Sequence, residues 1–157
     1  MAFGHLHIRN KIGSFGEDFA VHLLEQKNYS ICERNWKCGH LEVDIIAEND
    51  TEIIFVEVKT RTSDFIRRPE ERVNREKQKN IIIAANAYIK WHQTEKRPRF
   101  DIIGVLVDLD NMTVKDFNHI EDAYMPHVRT IHAGSYSGQW KWHNKQVRQQ
   151  RKSRFNL

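Results

Sequence analysis

Two runs rich in β-branched and aromatic residues, Leu41 to Ala47 and Glu52 to Arg61, flank Asn49-Asp50 and carry charges among their apolar side chains. Val, Ile and Phe favour extended backbone, and Asn-Asp is a turn signal, so the two runs read as a hairpin. Strand alternation puts Glu42, Asp44 and Ile46 on one side of the first strand. It puts Ile53, Phe55, Glu57 and Lys59 on one side of the second. If these sides match across the pair, Asp44, Glu57 and Lys59 converge on one patch. Unpaired charge is costly amid Ile, Val and Phe, so the three either neutralise one another or hold something.

The chain around this hairpin supplies an αβββαββ order. Ser14 to Lys27 reads as a helix, with Phe15, Phe19, Ala20, Leu23 and Leu24 at helical spacing, Gly13 and Gly16 bracketing its start, and Asn28 as its stop. Glu17 falls in its first turn, where the helix dipole favours an acid in any case. Tyr29 to Trp36 is a first strand of weak pattern. Thr62 to Arg68 reads as a charged loop, and Pro69 suits the start of a second helix from about Glu70 to His92. Ile81, Ala84, Ala85 and Tyr88 form its apolar stripe, while Arg72, Arg75, Lys77 and Lys79 crowd its N-terminal half. Phe100 to Asp108 is a nearly unbroken apolar run, as in a strand buried on both faces, and Met112 to Phe117 is a last strand. Asn118 to Arg129 is ambiguous. A helical crossover from the Lys59 strand to the Phe100 strand makes those two parallel. The expected architecture is α/β, a mixed sheet of about five strands with helices packed on it.

At 157 residues the chain fits one domain, taken as 1–128, with a basic extension, 129–157. The net charge of +4 conceals an asymmetry. After Asp122 there is no acid but seven bases (Arg129, Lys141, Lys145, Arg148, Arg151, Lys152 and Arg154), and removing them from the 25 leaves 18 against 21 acids. Such an arm suits nucleic-acid phosphates or serves simply as a solubilising end. Gly134 to Gly138 reads as its linker, and Trp140 and Trp142 beside Lys141 either stack on bases or pack back on the body. Cys32 and Cys38 are too few for a disulfide scaffold, which points to reduced thiols and a cytoplasmic location; with His40 they lack the second pair a structural zinc needs. No apolar run reaches transmembrane length and the N-terminus lacks a signal-peptide segment, so no membrane partner is expected.

Asp44, twelve intervening residues, Glu57, one residue and Lys59 form a set with two chemical readings. Two carboxylates a few ångströms apart repel unless a cation lies between them, and an all-oxygen set suits a hard divalent ion. Such an ion acidifies its bound water and offsets charge at a phosphorus centre, while Lys59 can orient or deprotonate that water. The Val58 carbonyl is available as a further oxygen ligand. The competing reading is a cross-strand salt bridge between Lys59 and either acid on a solvated sheet edge.

This spacing on a hairpin, following a helix that carries Glu17, resembles the PD-(D/E)xK nucleases with their restriction-endonuclease-like core. More closely, the chain is similar to the bacterial YraN-type family, itself similar to archaeal Holliday-junction resolvases. The resemblance rests on Gly13-Ser14-Phe15-Gly16-Glu17 with Ala20, Arg34-Asn35-Trp36 and Gly39-His40-Leu41-Glu42-Val43-Asp44-Ile45-Ile46. It continues through Phe55-Val56-Glu57-Val58-Lys59-Thr60-Arg61, Lys77-Gln78, Ala87-Tyr88 and Arg99-Phe100-Asp101. It implies a metal-dependent endonuclease acting on DNA, branched or otherwise structured, with Mg2+ or Mn2+ as cofactor; the alternative is a catalytically silent nucleic-acid-binding module. By position, Asp44, Glu57 and Val58 become metal ligands, with Glu17 reaching the metal directly or through water. Lys59 becomes the catalytic lysine, and Gln78 a polar residue beside it. The resemblance does not extend to the tail after about Ala123; by their charge Arg61, Arg72, Arg75, Lys77, Lys141, Arg148, Arg151 and Lys152 are the expected contacts to nucleic acid, DNA more than RNA, and resolvases imply a homodimer. Val43 stands where relatives often have Pro, a change the superfamily tolerates. Glu42 is a partner for Arg34 or Lys37.

Overall fold

The computed structural model describes residues 2–62 and 74–125. Arg72, Lys141, Arg148, Arg151, Lys152, Trp140, Trp142, Pro69 and the 128/129 boundary lie outside the described residues. The elements are α1 (Ala2–Gln26), β1 (Ser30–Cys38), β2 (Leu41–Glu48), β3 (Glu52–Thr62), α2 (Arg75–His92), β4 (Arg97–Asp108) and β5 (Thr113–Ile120). The αβββαββ order is the expected one. The strands lie side by side as β1-β2-β3-β4-β5. Only β3 and β4 run parallel, paired from Glu52↔Arg97 to Thr62↔Val107 across the α2 crossover. Asn49 closes the β2–β3 hairpin, its side-chain oxygen accepting the N–H groups of Thr51 and Glu52.

One helix covers each face of the sheet. Ile81, Ala84, Ala85 and Tyr88 of α2 pack on Ile46, Phe55, Phe100 and Ile102. Ala20, Leu23 and Leu24 of α1 pack on Ile45, Ile54, Val56, Ile103 and Val105. Central strands buried on both faces read as continuous apolar runs, which is why β3 and β4 are legible in the sequence.

Three boundaries differ from expectation for identifiable reasons. Helix α1 begins near Ala2, not Ser14, so Gly13 and Gly16 lie inside it. Gly16 is required there, since a Cβ would stand 1.9 Å from Thr60 Oγ1; α1 presses its backbone onto β3 at that point. Helix α2 begins at Arg75, not near Glu70, because Asn74 in an extended conformation caps it and accepts the Lys77 N–H at 2.8 Å. Strand β2 does not keep strict alternation. Leu41 and Val43 join Ile46 in the α2-side core, so the period slips by one between Val43 and Ile46, beside Asp44.

Candidate active site

The slip coincides with a fork in the sheet. Backbone pairing of β2 with β3 runs from Glu48↔Ile53 to Ile45↔Val56 and goes no further. At the next position the half-buried Asp44 side chain replaces the ladder, its Oδ2 accepting the Val58 N–H at 2.7 Å. Continuing the register one step puts Asp44 opposite Glu57, so the two acids meet where the strands part. Lys59, two residues along β3, donates to Glu57 Oε1 at 2.8 Å. The three side chains are thus gathered, by a route that simple alternation only approximates.

Glu57 is 4% exposed, a carboxylate in the core. Lys77 of α2 brings its Nζ to 3.0 Å from Glu57 Oε2. With Lys59 on Oε1, each oxygen of this buried carboxylate has a lysine ammonium beside it. Burial first, and the Glu57 charge second, push the Asp44 carboxyl up to about 7; the Val58 N–H and Lys77 oppose the rise, and Glu17 adds to it. Burial alone would lower the Lys77 ammonium, but Glu57 outweighs it and holds that pKa above the ordinary value. Lys77 therefore stands at the floor of the site, whereas its sequence position marked it for the nucleic-acid surface.

Glu17, on α1, accepts a hydrogen bond from Asn35 Nδ2 at 3.0 Å and lines the same cavity as Val58, Lys59 and Arg61. Asn35 has φ +49°, the left-handed region, and it fixes Glu17 from the middle of β1. The Arg34-Asn35-Trp36 block carried that signal in the sequence, although its role did not show there. Arg34 pairs with Asp18 at 2.6 Å, and Glu42 lies 3.9 Å from Lys37, which settles its partner. Gln78 is half-buried next to Lys77 in the first turn of α2, and Arg75 is exposed at the helix start. Tyr124, unmarked in the sequence, stacks on Phe100 and buries a hydroxyl with no hydrogen-bond partner. Burial, then the Glu57 charge, raises its pKa.

Among the described residues no three His, Cys, Asp or Glu side chains close around one point. Asp44 and Glu57 are nevertheless a donor set that fits a hard divalent ion. Magnesium takes one or two protein carboxylates and completes its shell with water and phosphate oxygens, and Asp44 has one hydrogen-bond donor among the described residues.

Residues 16–105, from Gly16 past both acids to the middle of β4, match the model of Uncharacterised protein family UPF0102. The chain belongs to this family. UPF0102 is the YraN-type group of restriction-endonuclease-like proteins. The UPF0102 protein of Bacteroides thetaiotaomicron is 42% identical over 117 residues, 74% of this chain and 94% of the relative. That of Caldanaerobacter subterraneus subsp. tengcongensis is 41% identical over 117 residues, 74% of this chain and 96% of the relative. That of Porphyromonas gingivalis is 37% identical over 115 residues, 73% of this chain and 84% of the relative. The UPF0102 match includes Glu17, Asp44, Glu57, Lys59 and Gln78; Arg9 and the basic extension fall outside it.

Proposed function

We propose that this chain is a divalent-metal-dependent endonuclease that hydrolyses phosphodiester bonds in DNA, with branched or otherwise structured DNA as its substrate. The observation that carries this reading is the pair of acids at the strand fork, Glu57 buried and Asp44 held by the Val58 N–H with its carboxyl pushed up to about 7. Bringing two acids together at low exposure costs a fold stability, through desolvation and mutual repulsion, unless a cation lies between them. Asp44, Glu57 and the Val58 carbonyl would hold Mg2+ or Mn2+, with Glu17 reaching it through water from the cavity wall. Once bound, the ion supplies charge neutralisation at phosphorus and a more acidic water. Lys59, anchored on Glu57 Oε1, directs its positive charge at the phosphate and orients the attacking water. Gln78 adds a polar group at the start of α2, and Arg61 and Arg75 offer cations to the DNA backbone. A homodimer suits a branched substrate with two strands to cut. A cytoplasmic location goes with this chemistry, and among the described residues no helix is long and apolar enough to cross a membrane.

The test is a divalent-metal titration with a panel of branched, nicked, single-stranded and duplex DNA, with matched RNA as control. Cleavage of at least one DNA structure is expected, and Asp44→Ala should lower its rate by at least about a hundredfold. Cleavage that survives Asp44→Ala would overturn the assignment.

One observation favours a second reading. Lys59 and Lys77 both lie against Glu57, so its charge is balanced without any ion. A catalytically silent nucleic-acid-binding module would keep that arrangement. Binding that persists in chelator and falls steeply with salt, with no cleavage across the panel, would select it.

A further inference from the structure

A cavity of about 590 Å³ opens beside the two acids, between the N-terminal half of α1 and the far end of β3. Its walls are of two kinds. Arg9, Lys59 and Arg61 supply cations, with Glu17 the one acid among the described residues that line it, while Ile12 and Leu109 supply an apolar surface. Leu109 is 39% exposed, so its apolar surface is open to a ligand in the cavity. Val58 and Lys59 belong both to this cavity and to the strand fork, so whatever fills it adjoins whatever sits on Asp44 and Glu57.

The glycines of α1 give an independent indication. Glycine within a helix costs about 1 kcal/mol relative to alanine. Gly16 has a packing reason, the contact with Thr60. Gly13 has none: a Cβ there would meet nothing within 4 Å, and Gly13 lines the cavity. A helix that accepts this cost while leaving the space empty keeps room for a ligand, the local inconsistency expected at a functional site.

We infer that this cavity receives one unpaired nucleotide of the DNA strand, next to the phosphate bound at the fork, with Arg9 and Arg61 on its phosphates and Ile12 and Leu109 against its base. The inference rests on the nuclease reading and narrows its substrate to DNA carrying an unpaired nucleotide beside the cut. In a continuous duplex each base is stacked and paired, so its apolar faces are unavailable to Ile12 and Leu109. An unpaired base has little stacking to lose, and extrusion is cheapest where pairing is already broken. Cations with apolar contact surface are the combination that holds single-stranded nucleic acid. The volume lies within the range of small-ligand sites.

The experiment measures binding of the full chain, in EDTA to prevent turnover, to two duplexes differing only in one unpaired 2-aminopurine nucleotide. Fluorescence anisotropy should give about tenfold tighter binding to the unpaired probe, a difference of about 1.4 kcal/mol. The 2-aminopurine emission should change on binding. Gly13→Leu, which fills the cavity, should erase the preference while raising thermal stability through better helix propensity. Arg9→Gln, at an exposed position, should weaken the unpaired probe several-fold more than the paired one. Equal affinity for the two probes, or a preference that survives Gly13→Leu, overturns the inference. A parallel incubation of the same probes in magnesium reads cleavage; cleavage there without any preference in EDTA overturns the inference and leaves the nuclease intact. Preference in EDTA without cleavage in magnesium supports the cavity assignment and removes hydrolysis; failure to bind either probe in EDTA overturns the cavity assignment, and the nuclease falls only if cleavage in magnesium fails as well.

Discussion

The sheet buries acids in two places, and they are treated in opposite ways. Near the start of β4, Asp101 is fully buried and fully satisfied. Arg99 forks onto both its oxygens at 2.9 and 2.8 Å, His119 Nε2 lies 2.8 Å from Oδ2, and the Asp122 N–H donates to Oδ1 at 3.0 Å. Lys27 stands 2.8 Å from the other nitrogen of His119; a lysine only donates, so Nδ1 accepts and Nε2 carries the proton given to Asp101. Burial would raise the Asp101 carboxyl, but the His119, Arg99 and Asp122 hydrogen bonds outweigh it and hold it below the ordinary range. At the strand fork Asp44 has one donor among the described residues, the Val58 N–H, and its pKa goes the other way. An acid whose valence is spent on the fold is structural, whereas an acid left short of donors has capacity for a ligand. Both kinds perturb pKa, and the direction tells them apart here.

The largest expected consequence falls on the satisfied cluster. Asp101→Ala leaves Arg99 and His119 buried without their acceptor, and the loss of one partner from a buried pair costs about 3–5 kcal/mol. Urea denaturation should show it as a fall in midpoint with unchanged slope. A loss below about 1 kcal/mol would mean that Asp101 does not hold these groups, and the contrast would collapse. Asp44→Asn should do the reverse. Asparagine keeps an acceptor for the Val58 N–H and removes the buried charge, so metal-free protein at pH 8 should gain about 1 kcal/mol.

The two clusters also differ in how far the sequence announced them. The Asp44, Glu57 and Lys59 set was legible because charges interrupt apolar strands, and a period of two put them on neighbouring sides. The fork was not, since nothing in Leu41 to Ala47 marks where backbone pairing stops and a side chain takes over. Lys77 was assigned to the helix surface because its sequence neighbours are charged; only the packing of α2 on β3 brings it to Glu57. The Asp101 cluster escaped for another reason. Arg99 and Asp101 stand two apart on β4, but His119 comes from β5 and Lys27 from the turn after α1, and no spacing joins all four. The β4 and β5 boundaries moved accordingly, to Arg97 and Ile120, because Arg99 and His119 count as polar loop residues until their partner is seen. Fold class was readable because it depends on strand burial and crossover length, which are local signals.

Opposite pKa shifts give opposite pH slopes, a smaller effect than truncation but a cleaner one. The folded chain keeps a proton on Asp44 that the unfolded chain releases above its ordinary value of 3.8, so this group's contribution to stability declines as pH rises from there to about 7. Asp101 is depressed in the folded state, so its contribution is present at neutral pH and is lost in acid as pH falls through the folded value. Denaturation in EDTA at pH 5 and pH 8 isolates the first slope. Asp44→Asn should remove the decline, worth about 1.4 kcal/mol per pH unit at most. A wild-type and Asp44→Asn difference that does not vary with pH would show that Asp44 is already satisfied.

The smallest expected effect bears most directly on what the unsatisfied acids are for. Lys77 balances Glu57 from α2 with its ammonium 3.0 Å from Oε2, so it competes with any cation for that oxygen. Lys77→Met keeps the aliphatic stem and removes the charge. If the acids serve a metal, the variant should bind Mg2+ or Mn2+ about three- to tenfold more tightly by calorimetry, since an opposing charge has gone. Affinity in wild type and variant should also climb with pH up to about 7, because the ion must displace the Asp44 proton. If the acids and lysines only cancel one another, Lys77→Met destabilises the fold and neither protein takes up metal. The same substitution at a satisfied cluster could only cost stability, so tighter metal binding would separate a site from a salt bridge.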